Sequence, residues 1–152
     1  MKNQLIGIVI INGPNLNLLG IREPEVYGKM DFDTYYRNLK EEFYNINLQF
    51  YQSNHEGVLI DLLQECGYNM TGIILNAAAY THTSIALADT IKAIKSPVIE
   101  VHITDTEQRE DFRKISFLRP YCIHSIIGRG LDGYRDAIQY FIENYNVIKK
   151  IF

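Results

Sequence analysis

Apolar and polar positions along this chain switch between two rhythms. Residues 5–11 (Leu5-Ile6-Gly7-Ile8-Val9-Ile10-Ile11) form a continuous apolar run, the pattern of a strand buried on both faces. From Phe32 the apolar positions Phe32, Tyr36, Leu39 and Phe43 return at helical spacing. Residues 47–52 then alternate, with Leu48 and Phe50 on one face, which predicts a strand at a sheet edge. Ser53-Asn54-His55-Glu56 has the S-x-x-E form of a capping box. Leu59, Leu62, Leu63 and Cys66 follow it on one helix face, and Gly67 is placed to end that helix.

The alternation continues to the end of the chain. Residues 71–75 predict a third strand, and Ser84 to Ile94 a third helix closed by Ser96-Pro97. Residues 98–101 predict a fourth strand, a short helix carries Phe112 and Ile115, and residues 122–127 predict a fifth strand. Leu131, Ile138, Phe141, Ile142 and Tyr145 mark one final helix. Repeated strand–helix units imply a parallel sheet with helices on both faces. The half-polar second strand suits an edge, and strands one and three suit the centre. The expected fold is therefore α/β: a flavodoxin-like three-layer sandwich with a five-stranded parallel sheet in the order 2-1-3-4-5.

Length and composition narrow the function. At 152 residues the chain is expected to be a single domain spanning 1–152, large enough to need neither disulfide nor metal. Its net charge of −3 offers no basic footprint, so no nucleic-acid partner is expected. No segment reaches membrane-spanning length. The apolar run behind Lys2 is short and runs into Asn12-Gly13-Pro14, which reads as strand and turn rather than a targeting segment. A cytoplasmic protein is expected. Cys66 and Cys122 belong to no CxxC pair and read as buried reduced thiols.

In such sheets ligands bind beyond the carboxyl ends of the strands, beside the point where strand order reverses. Strand one is followed by Asn12-Gly13-Pro14-Asn15, strand three by Asn76 and the stretch to Ser84, and strand four carries Glu100-Val101-His102-Ile103-Thr104. Amides and imidazoles converge there, without the carboxylate cluster of a phosphoacceptor domain or the hydroxyl-rich phosphate loop of a flavodoxin. Gly128-Arg129-Gly130-Leu131-Asp132-Gly133 matches G-x-G-x-x-G, but a dinucleotide site needs a further strand ending in an acidic residue, and only one helix follows. These glycines are expected to make a tight turn and let the last helix approach the sheet.

Segment 13–29 has no periodicity, and loops of that length in compact domains are usually lids or binding loops. It holds Arg22 and Tyr27 between Gly20 and Gly28. A tyrosine ordinarily ionises near pH 10, but a guanidinium about 4 Å away is worth roughly 4 kcal/mol at an effective dielectric of 20. A tyrosine beside a fixed arginine can thus serve as a base. From this stretch alone, a solvated arginine and an unrelated packed tyrosine is the preferred account of the residues.

Together the motifs resemble the type II 3-dehydroquinate dehydratases. The likeness rests on Asn12-Gly13-Pro14-Asn15-Leu16-Asn17-Leu18-Leu19-Gly20 with Arg22-Glu23-Pro24 and Tyr27-Gly28, then Gln52-Ser53-Asn54-His55-Glu56-Gly57. Asn76 with Ala79 to Ser84, Glu100-Val101-His102, and Phe112-Arg113 with Ser116 complete it in order across essentially the whole chain. The resemblance implies a cofactor-free, metal-free dehydration of 3-dehydroquinate to 3-dehydroshikimate by anti elimination through an enolate, in the shikimate pathway. It implies that Tyr27 is the base and Arg22 its activator, that Asn12 holds the water that stabilises the enolate, and that His102 is the general acid oriented by Glu100. By the same likeness the substrate carboxylate meets the backbone N–H groups of Ile103 and Thr104. Asn76, His82 and Arg113 bind the ring hydroxyls, and Asp89 is offered by a neighbouring subunit of a dodecamer of trimers. His55 is read as part of a helix start, and His124 is given no role.

The sequence departs from the family at three places. Ala77-Ala78 stands where the family usually has Pro-Gly, and an alanine adopts positive φ only at a cost. Asp105 places a negative charge near the expected carboxylate site, and Asp111 replaces a proline. No lysine falls in the constellation, so a Schiff-base route is not expected. The competing class is a non-catalytic small-anion binding module on the same fold, which needs Asn12, Asn76 and His102 but not the Arg22–Tyr27 pair.

Overall fold

Residues 5–152 are described by a computed structural model; Lys2 lies outside them. Five strands, β1 (Gly7–Asn12), β2 (Asn47–Gln52), β3 (Gly72–Asn76), β4 (Val98–His102) and β5 (His124–Ile127), form one parallel sheet in the order β2-β1-β3-β4-β5. The helices are a single turn α1 (Pro24–Tyr27), then α2 (Phe32–Glu42), α3 (Glu56–Cys66), α4 (Ile85–Ala93), α5 (Asp132–Glu143) and α6 (Tyr145–Ile151). Parallel neighbours need crossover connections, and the helices supply them.

The period-two alternation of the strands decides which side each residue packs on. Ile8, Ile10, Ile74, Ile99 and Val101 face Phe32, Leu39, Tyr134 and Phe141 of α2 and α5. Val9, Ile11, Ile73, Leu75 and Val98 face Leu59, Leu63, Leu87 and Ile91 of α3 and α4. Strands β1 and β3 are thus covered on both faces, whereas β2 leaves Tyr51 exposed at the edge, as its half-polar pattern requires. At the carboxyl end the backbones after β1 and β3 touch: a Cβ on Gly13 would lie 2.6 Å from the carbonyl oxygen of Ala77. Only glycine allows that approach.

Several local expectations are corrected. The capping box does not form: the Ser53 hydroxyl accepts from the His55 N–H (3.0 Å), and Glu56 instead accepts from Ser84 on the next helix. His55 does occupy the residue before α3, as a helix start. Gly67 ends α3, but with φ of −68° rather than in the left-handed region. Phe112 and Ile115 do not share a helix; residues Asp111–Arg113 make one 3-10 turn, and both apolar side chains are exposed with no core to fold against. Strand β5 starts at His124, because the preceding residues Arg119–Tyr121 form a 3-10 turn to which Cys122 is tied through Leu118. The last helix breaks at Asn144, whose side chain bonds back to the Tyr140 carbonyl. Segment 13–29 carries a 3-10 turn, Leu16–Leu18, and the turn α1.

Candidate active site

Register brings the chemistry together. Asn12 pairs with Asn76 across β1 and β3, and Leu75 with Glu100 across β3 and β4, so the three strands end side by side. Beyond those ends lies a cavity of about 150 Å³. Arg22, Tyr27, Asn76, His82, His102 and Arg113 line it, as do Ile103 and Thr104. Asn12 and Glu100 are fully buried and do not line it. Asp89 is exposed on α4 and is not brought to the cavity by its own chain. The lining holds three arginines and no carboxylate, a wall suited to an anionic ligand.

Behind the cavity, Glu100 and His102 share one face of β4 because they are two residues apart. His102 Nε2 lies 2.9 Å from Glu100 Oε1. The Ser116 hydroxyl donates to the same oxygen at 2.5 Å; Arg119 Nε (3.2 Å) and Ser125 Oγ (2.9 Å) donate to Oε2. Burial by itself raises the Glu100 pKa, but the donation and charge of His102 and the two serine hydroxyls outweigh it and hold the carboxyl down at about 2. A carboxylate so held fixes which imidazole nitrogen faces the cavity.

The amides form a second buried group on the opposite face of the sheet. Tyr134, buried on α5, donates its hydroxyl to Asn12 Oδ1 at 2.9 Å and accepts from Asn76 Nδ2 at 2.9 Å. Asn76 Oδ1 accepts from the Ala78 N–H at 3.1 Å. Asn12 Nδ2 is buried and has no partner among the described residues.

The loops supply the other wall. Tyr27 stands at the end of α1 and its hydroxyl accepts a 2.7 Å bond from Arg109 Nη1, which raises the arginine's own pKa. Arg22 does not bond to that hydroxyl; its guanidinium carbon lies 5.1 Å from the Tyr27 ring centroid, and its Nε pairs with Glu23 at 3.2 Å. Arg109 thus occupies the position expected of Arg22, with Arg22 adding a cation on the ring face. Nothing in the sequence singled Arg109 out, because it sits in an aperiodic polar run, Asp105–Glu110.

The remaining candidates are held as follows. His82 Nδ1 lies 2.6 Å from the Ile115 carbonyl, and its ring stacks on His102 with centroids 6.3 Å apart. Burial is the main cause of a lowered His82 pKa. Arg113 is braced by Glu110 at 2.8 Å. Asp105 does not point its charge into the cavity; its carboxylate accepts from the Glu107 N–H at 3.0 Å and caps the following turn. Ala78 lines the cavity with φ of 51°, a conformation costing an L-residue about 1–2 kcal/mol. Cys66 is buried, whereas Cys122 is only half-buried, and burial together with the Glu100 charge pushes the Cys122 thiol up to about 12. Both are unpaired and far from nucleophilic. His124 is exposed and stacks on Tyr140, away from the cavity. Among the described residues no three His, Cys, Asp or Glu side chains cluster as metal ligands, and no helix is long and apolar enough to cross a membrane.

Residues 6–142 match the family described as Dehydroquinase class II. A 3-dehydroquinate dehydratase of Fusobacterium nucleatum is 47% identical over 144 residues, covering 91% of this chain and 98% of that protein. One from Campylobacter lari is 44% identical over 143 residues, covering 93% of this chain and 89% of its own length. The crystal structure of a type II dehydroquinase from Butyrivibrio crossotus superposes with a TM-score of 0.86 at 43% identity, covering 90% of this chain and 97% of that one. With its parallel sheet and its cationic cavity at the strand ends, this chain belongs to the class II dehydroquinase family.

Proposed function

We propose that this protein is a 3-dehydroquinate dehydratase, converting 3-dehydroquinate to 3-dehydroshikimate and water in the shikimate pathway. The observation that carries the reading is a base and an acid lining one cavity: Tyr27, with its hydroxyl held by Arg109, and His102, backed by Glu100. A binding module has no use for that pair. Family membership and the names of the relatives agree with the reaction.

The substrate is a β-hydroxy ketone, so water is lost in two stages. Tyr27, as the phenolate stabilised by the Arg109 cation, takes the proton alpha to the ketone. The electron pair left behind becomes an enolate, whose oxygen is met by the Asn12 amide through a water. In the second stage the enolate re-forms the ketone, and the carbon–carbon double bond forms as the C–O bond breaks. The departing hydroxyl leaves as water with a proton from His102. Solvent then returns Tyr27 and His102 to their starting states. Arg22 supports the phenolate from the ring face, and Glu100 orients His102. The carboxylate of the substrate meets the backbone N–H groups of Ile103 and Thr104, while Asn76, His82 and Arg113 take the ring hydroxyls. The reading needs no cofactor or metal, and with no lysine in the lining it needs no Schiff base.

We further read residues 1–152 as one catalytic domain that works in the cytoplasm as a dodecamer of trimers, with Asp89 exposed on α4 for a neighbouring subunit's site. The product is a conjugated enone and the substrate is not, so ultraviolet absorbance follows the reaction directly. Wild type is expected to build the enone signal, before and after borohydride treatment, and Tyr27→Phe is expected to lack it while still binding substrate. A flat trace from folded wild type would sink the proposal and favour the anion-binding module.

A further inference from the structure

We propose that Tyr134 is a positioning residue for this reaction: through one hydroxyl it sets the orientation of both strand-end amides and leaves Asn12 Nδ2 as a free donor for the enolate side of the site. The proposal rests on the dehydratase reading for its catalytic part, but its geometric part stands alone.

The Ala78 backbone N–H can only donate, so the Asn76 atom 3.1 Å from it is the carbonyl oxygen Oδ1. Asn76 then presents Nδ2 to Tyr134, whose oxygen must accept at 2.9 Å. The one proton on that phenol is left to donate in the other direction, to Asn12 at 2.9 Å. Asn12 therefore offers Oδ1 to Tyr134 and keeps Nδ2 on its other side. Orientation passes from a backbone N–H, through two amides and a phenol, to a donor that nothing among the described residues satisfies. A buried unpaired donor is costly, so its retention beside Asn76, which lines the cavity, points to an oxygen acceptor arriving there during turnover. Such an acceptor is a water or the oxygen that gains charge as the enolate forms.

Two otherwise unexplained features belong to this relay. The positive φ of Ala78 lies at the residue whose N–H sets the first amide, so strain there maintains the start of the chain. The glycine motif maintains its middle. Gly128 and Gly130, with φ of 74° and 59°, donate their N–H groups to the carbonyls of His102 (3.1 Å) and Ile103 (2.9 Å), leaving no phosphate cradle. At Gly133 a Cβ would lie 3.3 Å from Val101 Cγ1, so the bare backbone lets α5 settle close against the sheet. Tyr134 follows immediately, and this approach brings its hydroxyl between the two asparagines.

The test compares Tyr134→Phe with Tyr35→Phe. Tyr35 is a neighbouring buried tyrosine whose hydroxyl has no partner among the described residues and whose ring lies 6.3 Å from that of Tyr134, so it controls for losing a buried phenol oxygen. For Tyr134→Phe, kcat is expected to fall by about tenfold to a hundredfold with KM moving less than about threefold, because the lost interaction acts on the transition state. Tyr35→Phe is expected to keep both constants. Side-chain amide NMR of the unliganded variants reads the geometry independently: Tyr134→Phe is expected to shift the NH2 resonances of both Asn12 and Asn76. An unchanged Asn12 signal, or a kcat within about twofold of wild type, would overturn the inference. If wild type itself formed no enone, the dehydratase reading would fall, and the amide signals would still decide the relay.

Discussion

The two walls of the cavity are built differently. On the strand-end wall, Asn76 and His102, with Asn12 and Glu100 behind them, are all buried, and each is fixed by strand register and by bonds to other buried groups. On the loop-borne wall, Arg22, Tyr27, Arg109 and Arg113 are half-exposed and hold one another, braced by the surface carboxylates Glu23 and Glu110. The proposed acid, His102, and the two amides are thus preorganised by the fold itself. The proposed base, Tyr27, depends on a few solvent-facing cations, which salt can screen and single substitutions can remove. In the proposed mechanism this makes proton removal the fragile half of the reaction and proton delivery the robust half.

That contrast can be broken most strongly at Tyr27. Replacing it by Phe is expected to lower kcat by about a thousandfold, the scale of a lost general base, with substrate binding and thermal stability near wild type. Next come the arginines. Arg109→Gln is expected to cost about a hundredfold in kcat and Arg22→Gln about tenfold, since only Arg109 bonds to the hydroxyl. A larger loss at Arg22, read in the same steady-state assay, would reverse the order inferred here.

The strand-end wall should answer in stability as well as in rate. The Glu100 carboxyl is held at about 2, below its ordinary value of 4.5, so its ionised form stabilises the fold. The sign is that of a depressed acid: the stabilisation is complete above the unfolded-state pKa and is lost as pH falls from about 4.5 toward 2. Its size is about 3 kcal/mol, an order-of-magnitude conversion at about 1.4 kcal/mol per pH unit. Denaturant melts of wild type and Glu100→Gln should therefore differ above pH 5 and converge toward pH 2. The smallest effect is expected at Ala78. Substituting glycine removes the positive-φ cost and should raise Tm by about 2–4 °C, with activity falling if the strained N–H is what sets Asn76.

Legibility in the sequence followed the same division. The strand order was readable because a two-sided apolar run, a half-polar edge and regular helical spacing each have a single structural meaning in a parallel sheet. Asn12, Asn76, Glu100 and His102 could be located because they fall at strand ends, where topology alone puts ligands. The loop-borne wall was less legible. Arg22 was marked by lying with Tyr27 between Gly20 and Gly28 in one aperiodic loop, yet the hydroxyl is reached by Arg109, brought from far along the sequence. Tyr134 was hidden for another reason: an aromatic on the apolar face of a helix reads as core, and only its hydroxyl partners reveal more. The capping box failed because Glu56 found a tertiary partner in Ser84 that no local pattern encodes.

The division of labour between the two walls is tested most directly by proton exchange of 3-dehydroquinate in deuterated water, followed by NMR. With His102→Gln, the account predicts that deuterium enters the substrate alpha to the ketone while water loss nearly stops, because Tyr27 and its arginine still form the enolate. With Tyr27→Phe, neither exchange nor product should appear. Exchange at the wild-type rate in Tyr27→Phe, from folded protein, would contradict the assignment of the base and with it the contrast between the two walls.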